Sequence, residues 1–245
     1  MHMKTKTLLA VMFVAAFTTL GYGQSVVITS KKVTYTRPKP IEDYKKTFTI
    51  NYPKVKASTP AISKKIEAAI SYSSVLKLDL RGELRDEQWL EEADYEVGYN
   101  KNGALSIALS MEGSGAYPSG TTKHVVVDLR SGVRVRPADV FSNLSGLLAM
   151  VRKAKDREVA QAIVESKKDP ETKDIDPADQ FKESSKYNPL KLDEFSVADD
   201  GVTFHYDYGF PHVIQALQPS GEFMFTWKQL KPYIKAGGLL TRIAH

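Results

Sequence analysis

The stretch 113–141, GSGAYPSGTTKHVVVDLRSGVRVRPADVF, decides the fold. A glycine-rich segment leads into a run where Val125, Val127 and Leu129 alternate with Val126, Asp128 and Arg130, and that period of two marks a strand. Ser131-Gly132 supplies a tight turn, and Pro137 suits the first position of a helical turn, where its missing N–H has no intrahelical partner. Gly113, Gly115 and Gly120 invite a phosphate-loop reading. Such a loop must open a helix, because the N-terminal amides hold the phosphate. This one opens a strand, so it reads as a wide loop between strands. For the same reason Ser114 is not a nucleophile elbow.

Working outward towards the N-terminus, Tyr95, Val97 and Tyr99 alternate against Asp94, Glu96 and Gly98 over 93–100. Lys101-Asn102-Gly103 is a hairpin turn, since Asn-Gly readily takes positive φ, and Leu105, Ile107 and Leu109 alternate on the return. With the 123–130 strand these segments predict an antiparallel meander covered on one side. Further upstream, Ser58-Thr59-Pro60 opens a one-faced helix carried by Ile62, Ile66, Ala69 and Ile70 to about Leu80. Residues 25–36 and 46–52 read as strands, the first broken by Arg37-Pro38-Lys39-Pro40 and the second ended by Pro53. The segment 81–92 reads either as the last turns of that helix or as a solvated connection.

Towards the C-terminus, residues 141–166 hold the longest helical pattern, capped by Ser142 or Asn143, with Leu144, Leu147, Leu148, Val151, Val159 and Ile163 in one stripe. Arg152, Lys153, Lys155 and Arg157 read as its solvated face. The polar stretch 167–186 is a loop or a short helix beginning after Asp176. A hairpin turning at Asp199-Asp200-Gly201, a strand over 222–226 and a closing helix over 227–234 complete the chain. The fold class is α+β, with antiparallel sheets and helices packed on one face. Residues 24–112 form an N-terminal α+β part and 113–245 a C-terminal part, read as one continuous globular unit.

Residues 1–23 read as a signal peptide. Lys4 and Lys6 precede an apolar run from Leu8 to Leu20, shorter than the roughly 20 residues a membrane helix needs. Gly21 and Gly23 offer small residues before a cut ahead of Gln24. The expected compartment is the periplasm or the extracellular space, with no membrane span after cleavage. The chain has no cysteine, which excludes disulfides, thiol catalysis and cysteine-ligated metals. Its formal net charge of +5 loses Lys4 and Lys6 with the signal and falls to about +3. That is too mild to argue for nucleic acid as a partner.

Three parts of the chain resemble the RsiV-like extracytoplasmic domain of unknown function, a domain also found before the catalytic domain of some peptidoglycan deacetylases. The first is Phe48-Thr49-Ile50-Asn51-Tyr52-Pro53 with the helix after it. The second runs from Gly115-Ala116 through Asp128-Leu129-Arg130-Ser131-Gly132 to Asp139-Val140-Phe141. The third joins Gly201-Val202-Thr203-Phe204-His205-Tyr206 to Gly221-Glu222-Phe223 and Leu230-Lys231-Pro232-Tyr233. Where members of that family often carry histidine after Gly-Ala, this chain has Tyr117. The resemblance implies a non-catalytic α+β binding domain of the bacterial cell envelope, without cofactor. Its implied partner is a lysozyme-like hydrolase or peptidoglycan.

Among the residues themselves, aromatic positions that would line a groove for a sugar or a protein are Tyr117, Tyr206, Tyr208, Phe210 and His212, with Trp227 beside them. The segment Tyr208-Gly209-Phe210-Pro211-His212 breaks strand pattern while keeping aromatics, as exposed recognition loops do. The alternative chemistry is a hydrolase using His205 and Asp207, which would share one face of a strand. A zinc site would need the distant His124 as well, and no metal is expected. A structural envelope protein is the third class.

Overall fold

The computed structural model describes residues 25–42, 44–115, 117–168 and 177–244. The signal segment and the Lys167–Lys186 stretch between 169 and 176 lie outside the described residues.

The chain is α+β. Strands β1 (Val27–Thr36) and β2 (Thr47–Lys56) pair antiparallel over ten positions. A crossover through the short helices α1 (Pro60–Ala69), α2 (Tyr72–Val75) and α3 (Leu80–Arg85) then places β3 (Leu90–Lys101) parallel to β2. Strands β4 (Ala104–Ser114), β5 (Pro118–Asp128) and β6 (Val133–Arg134) continue antiparallel in chain order. The helical turn α4 (Pro137–Val140) and the long helices α5 (Leu144–Ser166) and α6 (Pro177–Tyr187) follow. A second, three-stranded antiparallel sheet is built from β7 (Phe195–Val197), β8 (Gly201–His205) and β9 (Glu222–Thr226). A 3₁₀ turn (His212–Leu217) separates β8 from β9, and the helical turn α7 (Trp227–Leu230) closes the chain's last core.

Local signals account for several of these boundaries. Thr59 caps α1 by accepting from the Ile62 amide at 3.2 Å, and Asn143 caps α5 through the Gly146 amide at 3.0 Å. Asn102 and Gly103 turn the β3–β4 hairpin with φ of 54° and 79°. Other boundaries differ from the pattern. The helix expected to reach Leu80 stops at Ala69 and restarts twice, because Tyr72 turns inward to donate from its hydroxyl to the Asn51 carbonyl at 2.8 Å. Pro53 does not end β2. Pairing with β3 covers only Thr49 and Ile50, so beyond them no strand among the described residues takes an N–H from that side of β2, and a proline is tolerated.

The wide glycine-rich loop is instead a long hairpin. Strands β4 and β5 pair from Ala104↔Asp128 out to Ser114↔Pro118, leaving three residues at the tip. Gly113 is needed where it stands, because a Cβ there would lie 2.1 Å from the Trp89 carbonyl oxygen. The division between 112 and 113 falls inside β4, which bonds to both β3 and β5.

Two cores lie on opposite faces of β4 and β5. Leu105, Ile107, Leu109, Val125 and Val127 pack with Phe48, Ile50, Ile66 and Ile70 beneath α1–α3. Ala104 and Val126 face the other way, into a core shared with β7–β9, Phe141 and α5. The meander is therefore covered on both sides at this end, and the Val197 amide of β7 donates to Ser106 Oγ at 3.1 Å. Glu92, Asp94, Glu96 and Glu112 remain exposed on the open part of the second face. Each large side chain in these cores contributes roughly 1.5–3 kcal/mol.

Two buried cations stand where the sequence marked breaks or solvent. Arg37, with a fully buried side chain, donates to the carbonyls of Glu83 at 3.1 Å and Leu90 at 2.7 Å, pairs with the Glu83 carboxylate at 3.4 Å and lies over the Phe48 ring. It ties the first hairpin to the crossover. Lys155 is only 8% exposed and not on the solvated face of α5: its ammonium sits 4.4 Å from the Tyr206 ring centre and 3.1 Å from Ser185 Oγ.

Candidate functional site: a cleft at the junction of the two sheets

His124 stands on β5, on the same face as Val126, and His205 ends β8 of the small sheet. Because β7 is seated on that face of the meander, the two imidazoles meet. Their rings are parallel to within 4°, with centres 3.5 Å apart. Around them, Glu194 accepts from Lys123 Nζ at 2.7 Å and from the His124 amide at 3.2 Å, and lies 3.4 Å from His124 Nδ1. On the other side, His205 Nε2 shares a hydrogen bond with Ser196 Oγ at 2.8 Å, and Nδ1 is 3.8 Å from Glu222. Burial, the neighbouring His124 and Lys123 together hold His205 down to about 4, against an opposing pull from Glu194. Burial works against the charge of Glu194, yet hydrogen bonds from His124 and Lys123 outweigh it and keep its carboxyl below the usual range.

This imidazole pair forms the floor of a cleft of about 260 Å³ whose rim includes Thr122, Asp207, Gln215, Gln218, Ser220 and Glu222. Outside the cleft's lining, but near it along the chain, stands an exposed aromatic pair. Tyr117 is 62% exposed and stacks on His212, ring centres 5.0 Å apart, while His212 Nε2 contacts the Pro118 carbonyl at 2.9 Å. Pro118 is two residues from Gly120 on β5, and His212 is three residues from Gln215, both of which line the cleft.

The expected sites divide. Tyr117 and His212 come together at the surface. His205 and Asp207 line one cleft but do not pair, because β8 ends at His205 and the chain turns. The Asp207 carboxylate instead accepts from the Gly209 amide at 2.8 Å and Gln218 Nε2 at 3.3 Å. Tyr206, Tyr208 and Phe210 are not an exposed recognition loop. They are 7%, 1% and 8% exposed, and Phe181 of α6 packs edge-on to Tyr208 and tilted against Phe210. Tyr208 donates to Glu158 at 2.8 Å, and burial together with that carboxylate pushes its hydroxyl up. Its backbone carbonyl accepts from Ser184. Trp227 is buried too, donating to the Asp199 carbonyl.

Lys123, Glu194, Glu222, Gln215 and Gln218 were invisible as site residues, since each is a common polar residue on a separate segment. The one available signal was the scarcity of histidine, five in the chain, three of which gather here. Parallel rings aim their in-plane nitrogen lone pairs side by side rather than at one point, so His124 and His205 do not converge on a metal. Among the described residues no group of three or more histidine, aspartate or glutamate side chains has ligand spacing. The cleft can present hydroxyl, amide, carboxylate and imidazole groups to a polar ligand. Among the described residues no helix is long and apolar enough to cross a membrane.

No family model matches the chain, and no curated protein matches it. Among solved structures it is similar to a member of the DUF3298 family from Bacteroides fragilis, at 13% identity and a TM-score of 0.55, over 91% of this chain and 98% of that one. A DUF3298 family protein from Pseudomonas aeruginosa aligns at 15% identity with a TM-score of 0.49, over 87% of this chain and 95% of that one. At such identities the likeness is one of fold, and the Bacteroides fragilis structure carries it: the structural neighbours of this chain are DUF3298 family proteins, an uncharacterised domain.

Proposed function

We propose that this protein is an exported, non-catalytic binding domain of the bacterial cell envelope, and that its ligand is a wall glycan held in the cleft between the sheets. The observation that carries this reading is the exposed Tyr117–His212 stack, a few residues along the chain from a cleft lined by amides, hydroxyls, carboxylates and imidazoles. A pyranose presents C–H groups on its faces and hydroxyls at its edge, so it needs one flat apolar surface and several polar groups around it. Export and the envelope setting come from the signal-like N-terminus and from the resemblance to the RsiV-like domain. A hydrolase using His205 and Asp207 is disfavoured, because Asp207 is engaged by Gly209 and Gln218 and does not orient the imidazole.

The test is co-sedimentation of the purified protein with insoluble peptidoglycan, beside capture on immobilised lysozyme, the protein partner the resemblance implies. Binding to peptidoglycan that falls about tenfold or more in Tyr117→Ala, with unchanged thermal unfolding, is expected. Capture by lysozyme alone, or peptidoglycan binding indifferent to Tyr117, sinks the glycan reading.

A further inference from the structure

We propose that the cleft is one half of a longer groove, and that the bound ligand is an extended sugar chain rather than a single sugar or a chain end. This rests on the glycan reading above. Beyond the Gln218–Ser220 loop lies a second depression of about 550 Å³, bounded by Glu158, Gln161, Glu165 and Ser166 of α5 and by Phe181 of α6. Gln218 and Ser220 line both hollows, so the two adjoin at this loop, which in the proposed groove is a saddle between them.

The two hollows measure about 260 Å³ and about 550 Å³. The second hollow also offers an amide, carboxylates and hydroxyls, with Phe181 in its lining.

The saddle is fixed before any ligand arrives. One Glu158 oxygen accepts from Ser220 Oγ at 2.8 Å and from the Gly221 amide at 3.3 Å, and the other accepts from Tyr208. Gln218 accepts from the Phe210 amide at 2.9 Å and donates to Asp207. A groove with a rigid crest loses little freedom when a chain lies across it, so contacts on both sides add to affinity.

The experiment is calorimetric titration of the purified protein with β-1,4-linked N-acetylglucosamine oligomers: monomer, dimer, tetramer and hexamer. Affinity is expected to rise on the order of tenfold or more between dimer and tetramer. Gln161 is exposed on α5, and Gln161→Leu, which removes an amide from the second hollow, should bring the hexamer towards the dimer's affinity while leaving the dimer unchanged. Tyr117→Ala should weaken every length. Equal affinity for dimer and hexamer, or a hexamer indifferent to Gln161→Leu, overturns the extended groove while the glycan reading stands. Absence of binding to all oligomers and to peptidoglycan overturns both.

Discussion

Replacing His205 by glutamine tests the junction of the two sheets through its pH dependence. Glutamine keeps an amide for Ser196 but cannot titrate. In the folded protein His205 is held at about 4, against an ordinary 6.5. Between those values the unfolded chain takes up a proton and the folded one does not, so acidification favours the unfolded chain. The sign is therefore a loss of stability as pH falls: the contribution is intact above 6.5, declines below it and levels off below about 4. Linkage over that window, taken from about pH 7.5 to about pH 5, gives a loss of about 2 kcal/mol from this one residue. Glu194, whose carboxyl lies below the ordinary range, loses its own contribution only at lower pH, which keeps the two effects apart. The assay is urea unfolding at both pH values for wild type and His205→Gln, at constant m-value. Wild type should lose about 2 kcal/mol more than the variant. Equal losses, or a wild type that gains stability on acidification, would refute a buried, neutral His205 as the physical state of this junction.

Three further outcomes follow from the same contacts. Glu158→Ala strands the Tyr208 hydroxyl and the Gly221 amide and should cost about 2–4 kcal/mol in urea unfolding; a loss below about 1 kcal/mol contradicts its anchoring role. Arg37→Ala leaves Glu83 buried without its cation and should cost about 3–5 kcal/mol, whereas the Arg37→Met, Glu83→Leu pair should cost clearly less; equal losses would count against the charge argument. Gly221→Ala should destabilise by at least about 1–2 kcal/mol, since φ is +65° and a Cβ would lie 1.9 Å from the Tyr206 carbonyl oxygen; an unchanged unfolding midpoint would show that the loop is not built this way.

The amino-acid sequence alone determined whatever depends on neighbours along the chain. The Asn102-Gly103 turn, a cap at Ser142 or Asn143 and the alternation through Val125–Val127 are local, because turn dihedrals, caps and period are set within a few residues; the stretch 167–186 stays open between a loop and a short helix. Tertiary structure decided which faces those elements bury. Tyr208 and Phe210 keep aromatics in an irregular segment, which suggests exposure. They are covered by α6, whose single large aliphatic or aromatic contact, Phe181, leaves little trace in a polar helix. Lys155 carries a charge that predicts solvent, yet two tyrosine faces receive it. The cleft itself joins β5, the segment before β7, β8 and β9. His124 and Glu194 lie seventy residues apart, and only the seating of the small sheet on the meander brings them together. Long-range pairing of that kind costs chain entropy that the whole core repays at once, so no short window of sequence carries its signature.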